Sequence, residues 1–147
     1  MTNTRAVATA IIMGVVLVWL AQVVTGVLAA LPIPASFWST VRGWGWNGLA
    51  SFLYMLLVIH IPIAIFSAVV SWGMFRLLGR STLPVVLACV GPWFVYVLWN
   101  WLSEFSQFYA VLMSSGWMFP LALLGTLSLP AGVWLGAYLV KRQEHAL

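Results

Sequence analysis

The sequence predicts an all-α integral membrane protein: a bundle of four transmembrane helices with both termini in the cytoplasm and two aromatic-rich external segments. Three observations lead there. The chain is 64% hydrophobic and 5% charged, with a mean hydropathy of +1.08, where a soluble domain carries roughly a quarter of its residues as charges. Four uncharged apolar runs are each long enough for a helix to cross a hydrocarbon core about 30 Å thick. The basic residues gather at those ends of the runs that share one side.

The runs occupy 6–31, 49–75, 84–102 and 120–140. Arg5 precedes the first, and the Pro32 and Pro34 break follows it. The second is closed by Arg76, the third begins at Pro84 and ends before Glu104, and the fourth is stopped by Lys141 and Arg142. Residues 1–147 thus read as a single membrane domain. The first run has 26 residues, beyond the roughly 7 to 15 of a signal-peptide core, so it is expected to remain as a span.

With four spans the termini share a side, and that side collects Arg5, Arg76, Arg80, Lys141 and Arg142, leaving Arg42 alone on the other. Lys and Arg are retained in the cytoplasm, so segments 32–48 and 103–119 are expected outside, as in a bacterial inner membrane. These segments are rich in Phe, Trp and Tyr. Phe37, Trp38, Trp44 and Trp46 lie in the first, and Phe105, Phe108, Tyr109, Trp117 and Phe119 in the second. With Trp99 and Trp101 they put most of the ten tryptophans at the external boundary. Two readings fit: an aromatic belt that fixes depth, and a docking surface for a partner or an amphiphile. The spacing of Phe105, Phe108 and Leu112 also suits a short amphipathic helix on the outer leaflet.

Lipid offers no hydrophobic force between helices, so small and polar residues mark the packed faces. In the first span Ala10, Gly14, Ala21, Gln22, Thr25 and Ala29 share one side, and Ile12, Val16, Trp19, Val23 and Val27 the other. The second has His60, Ala64, Ser67 and Ser71 opposite Met55, Val58, Phe66 and Val69. The third has Cys89, Trp93, Tyr96, Asn100 and Glu104, and the fourth Gly125, Ser128, Gly132 and Gly136. Gly132 and Gly136 form a GxxxG pair for helix packing, inside the chain or in a homo-oligomer. Pro62, Pro92 and Pro130 fall inside spans, where each frees a backbone carbonyl and bends its helix.

The polar residues within the spans form a candidate cluster of Gln22, His60, Tyr96 and Asn100. Gln22 and His60 both fall about 13 to 17 Å below the outer surface at 1.5 Å per residue. A neutral His60 hydrogen-bonded to Gln22, Tyr96 or a freed carbonyl is the expected arrangement. Arg42 and Glu104, the two external charges, are placed to pair.

Several functions are excluded. Eight charged side chains cannot solvate a soluble enzyme, and the basic residues make no stripe for nucleic acid. The chain has no Asp, and its only carboxylate side chains are Glu104 and Glu144, so paired-carboxylate catalysis and metal sites lack ligands. Cys89 is alone and cannot form a dithiol pair. A second intramembrane histidine for haem is missing, because His145 lies in the tail. No enzyme, cofactor or metal is expected.

What remains is a non-enzymatic inner-membrane protein that binds a protein partner through its external face, Trp38, Arg42, Trp44, Trp46, Glu104 and Trp117. It would be an accessory subunit of a membrane complex or an immunity protein against a membrane-acting toxin. The alternative is a small oligomeric transporter or channel, with Gln22, His60 and Asn100 lining a shallow outer cavity.

Overall fold

A computed structural model of the chain describes residues 3–31, 34–43, 52–79, 81–105, 109 and 118–144, without the side chains of 3, 38, 41–43, 118, 119 and 144. Every regular element among the described residues is helical. They are α1 (Asn3–Ala29), α2 (Ala35–Gly43), α3 (Phe52–Leu78), α4 (Leu83–Ser103) and α5 (Met118–Glu144). Four of them, α1, α3, α4 and α5, are long and apolar enough to cross a membrane, so the chain is a multi-pass membrane protein by length and composition. The short α2 falls in the segment expected to be external. It starts after Pro34, whose carbonyl accepts a bond of 2.9 Å from the Phe37 N–H.

The helices overrun the apolar runs at their basic ends. α3 continues through Arg76 and α5 through Lys141 and Arg142, because backbone bonding does not stop where hydropathy does. Gly79 ends α3 in the left-handed region at φ 61°, where a glycine meets no steric penalty, and its N–H bonds the Arg76 carbonyl at 3.3 Å. α4 restarts after Thr82 with Pro84 in its first turn, where the missing N–H is harmless.

Pro62 reshapes α3. Without an N–H it cannot bond the Val58 carbonyl, and the preceding residues Leu56–His60 adopt a π turn, in which the Ile61 N–H reaches back to the Leu56 carbonyl. The π turn adds a residue to the helical repeat. Met55 and Val58, expected opposite the packed face, are half-buried and packed against the core, as is Phe66, while Val69 is exposed as expected.

Packing joins helices that are not neighbours in sequence. The most extensive contacts are α3 with α5 and α1 with α4; α4 with α5 and α1 with α3 meet less extensively. Cross-helix contacts give the directions. Gly125 lies by His60, Gly132 by Ala64, Gly136 by Ala68, and the Trp72 indole donates to Gln143 Oε1 at 3.3 Å, so both chain positions rise together and α3 runs parallel to α5. Gly14 lies on the Cys89 backbone of α4. The bundle is therefore two parallel pairs set antiparallel to each other, and the short turn after α3 crosses it diagonally.

Small residues make both pairs close. A Cβ on Gly14 would run into the Cys89 carbonyl; one on Gly132 would strike Ser67 Oγ and the Ala64 carbonyl. A Cβ on Gly136 would fall 2.7 Å from the Ala68 carbonyl oxygen. Ala10, Ala21, Ser67, Ser71, Cys89 and Val133 complete the core, while Ile12, Val16, Trp19, Val23 and Val27 line the exposed outer side of α1. Ala29, grouped with the packed face, is exposed at the helix end.

Candidate functional site

A carbonyl freed by proline organises the polar interior. Pro130 cannot return a hydrogen bond to the Thr126 carbonyl four residues earlier. Trp93, buried on α4, donates its Nε1–H to that oxygen at 2.7 Å and so bridges α4 to α5. Ser67, fully buried on α3, donates to the Ile63 carbonyl at 2.8 Å and lies 3.4 Å from the Leu129 carbonyl on α5. These bonds replace water that the interior excludes.

Beside the Trp93 bridge a cavity of about 280 Å³ opens between α4 and α5, lined by Tyr96, Asn100, Trp101, Gly125 and Thr126 among others. Two of the four residues expected to cluster, Tyr96 and Asn100, lie here. Asn100 donates from Nδ2 to the Tyr96 carbonyl at 2.9 Å, one turn back on its own helix. His60 stands on the other side of Gly125, with its Cε1 3.3 Å from where a Cβ would be. Gln22 is half-buried on α1.

No hydrogen bond joins any two of these four side chains among the described residues, which corrects the expected network. His60 Nε2 is buried with no hydrogen-bond partner; it reaches neither Gln22, nor Tyr96, nor a freed carbonyl. The physical reason is local. The π turn sets the ring against Gly125 of α5, while Tyr96 and Asn100 belong to α4, which is diagonal to α3.

The external face falls mainly outside the described residues. Trp44, Trp46, Trp117, Phe108 and Leu112 lie outside them, as do the side chains of Trp38 and Arg42, so the Arg42–Glu104 pair does too. Glu104 is exposed just past the end of α4. Around it Trp99, Leu102, Phe105 and Tyr109 are also exposed, and the Phe105 and Tyr109 rings stack with centroids 6.3 Å apart. Phe37 of α2 meets Tyr54 at the start of α3, with ring centroids 6.1 Å apart. Gly132 and Gly136 are buried against α3, so the face a second copy would use is occupied within the chain.

Among the described residues, no group of three or more His, Cys, Asp or Glu is placed to hold a metal ion. Sequence reasoning singled out the prolines as sources of free carbonyls but not Trp93 as the donor that uses one. The signal was present: Trp93 is the one indole in the middle of α4's packed face, and Thr126 is four residues before Pro130. The chain matches no protein-family model, no curated protein and no solved structure.

Proposed function

We propose that the protein is a non-enzymatic component of a bacterial inner membrane that acts by binding a protein partner at its external aromatic end. Both termini are cytoplasmic in this reading. It is an accessory subunit of a membrane complex or an immunity protein against a membrane-acting toxin. The observation that carries it is the group of exposed rings at the end expected to be external: Trp99, Phe105 and Tyr109 are exposed together with Leu102 past the polar interior, and the Phe105 and Tyr109 rings stack. Aromatic residues concentrated at one surface suit recognition of a protein.

A belt that only sets depth needs bulky amphipathic rings, while a partner needs particular side chains. Replacing Trp38, Trp44, Trp46 and Trp117 with Ala, with membrane levels checked, should abolish crosslinking and co-purification of a stoichiometric partner from native membranes. Unchanged capture would overturn the proposal.

A second reading, a small transporter or channel, is favoured by the buried unpartnered His60 Nε2 near the cavity that Asn100 lines. Flux in proteoliposomes that disappears in His60→Ala would support it over the binder.

A further inference from the structure

At the opposite end of the bundle, α4 begins where α5 ends. Between them is a cleft of about 220 Å³ lined by Ser81, Leu83, Val86, Trp134, Ala137, Tyr138 and Lys141. Arg5, Arg76 and Arg142 are at the same end, and among the described residues the cleft wall contains no carboxylate; the Glu144 side chain lies outside them.

Ser81 stands out on this wall. The residue is 5% exposed and its hydroxyl makes no hydrogen bond among the described residues, but the oxygen is not sealed in the protein; it opens to the cleft that it lines. Such a hydroxyl is free to donate to an acceptor that enters the cleft. The first turn of α4 is bare as well. Thr82 at the N-cap makes no side-chain cap bond, no acidic residue lies in that turn, and the Leu83 N–H has no partner among the described residues. Such a turn carries partial positive charge and favours an anion. Lys141 brings an ammonium to the same cleft.

The remaining walls are chosen for lipid. Trp134, Tyr138 and Lys141 have the four- and three-residue spacing of one helical face, and the two rings are 57% and 56% exposed. An outward face with aromatics below a lysine at a span's end matches the headgroup level, where amphipathic rings settle and lysine reaches upward. Leu83, Val86 and Ala137 make the rest of the wall apolar. We propose that this cleft binds the phosphate of an anionic phospholipid, with the Ser81 hydroxyl, the Leu83 N–H and the Lys141 ammonium as donors and the chains lying along Trp134 and Tyr138.

The test is retention of phosphatidylglycerol against phosphatidylcholine by the full chain, measured by native mass spectrometry from mixed micelles. Lys141→Gln should weaken phosphatidylglycerol binding roughly fivefold, the effect of one lysine near an anionic surface. Ser81→Ala should weaken it further in the double variant, and phosphatidylcholine should be unaffected. Arg142→Gln, one residue away and outside the cleft, should change it less than about twofold, which separates a site from diffuse attraction. Lys141→Arg should retain binding and covers the case in which Lys141→Gln does not accumulate. Equal weakening by Lys141→Gln and Arg142→Gln, or none by either, would overturn the proposal. Inorganic phosphate in tenfold excess should displace little of the lipid; complete displacement would assign the cleft to free phosphate and overturn the lipid reading.

Discussion

Trp93 donates its indole N–H to the Thr126 carbonyl at 2.7 Å, and that oxygen is available because Pro130 stands four residues along the same helix. A proline that breaks α5's own ladder thus supplies the acceptor that ties α5 to α4. The relationship makes a coupled prediction. Trp93→Phe should cost about 1 to 3 kcal/mol by leaving the carbonyl unsatisfied. In a Pro130→Ala background the restored N–H can take that oxygen, so the same substitution should cost less. Unfolding titrations of the four variants in mixed micelles give the coupling directly. Equal costs in both backgrounds would show that the indole contributes packing alone.

The glycines divide into two groups by what a side chain would meet. Gly14, Gly132 and Gly136 face backbone carbonyls of the partner helix, which cannot swing aside, whereas Gly73 has open space around it. Alanine at Gly14, Gly132 or Gly136 should therefore destabilise by about 1 to 3 kcal/mol through overpacking. Gly73→Ala should be neutral or stabilising by up to about 1 kcal/mol, the helix-propensity gain. Thermal melts in detergent check both. A Gly132→Ala variant as stable as Gly73→Ala would mean that α3 and α5 do not approach this closely.

The four spans were legible because charge is so costly in hydrocarbon that its absence over 20 or so consecutive residues marks a segment made for lipid. The packed faces were legible for α1 and α5, where Gly14, Gly132 and Gly136 are small enough for carbonyl contact. Pairing was not. Nothing in the pattern of Ser67 and Ser71 says that their face meets α5 rather than α4, since a wheel gives a direction without a neighbour. The polar cluster failed for the same reason. Helices α1 and α3 do meet, yet equal depth for Gln22 and His60 does not turn their side chains toward each other, and the π turn before Pro62 shifts the register that a regular helix would keep; Tyr96 and Asn100 belong to α4, diagonal to α3.

His60 offers a third prediction. Its Nε2 has no hydrogen bond to lose, so an apolar residue of similar size should be tolerated. His60→Leu is expected to leave stability within about 1 kcal/mol of the parent or to raise it, since removing an unsatisfied buried polar atom is favourable. His60→Ala should lower it by about 2 kcal/mol or more, because it vacates the space against Gly125. Chemical unfolding in mixed micelles distinguishes the pair. A loss above about 2 kcal/mol for His60→Leu would mean that Nε2 is held by a group bound in the membrane, and would favour the transporter reading.

A fourth prediction concerns orientation, through where the charges sit on the folded bundle. Arg5 starts α1, Arg76 is in the last turn of α3, and Lys141 and Arg142 are in the last turn of α5, all at one end, while Glu104 lies at the other. Positive charge is held on the cytoplasmic side, so that end should face inward. The buried Cys89 can be replaced by Ala to give a cysteine-free background. In it, Glu104→Cys should react with a membrane-impermeant maleimide in intact cells, and Gln143→Cys only after the membrane is opened. Because the orientation rests on these few cations, changing Arg76, Lys141 and Arg142 together to Gln should give a mixed population in which both positions label partially. Labelling of Gln143→Cys from outside in the parent background would reverse the assignment, and with it the side from which a partner must approach.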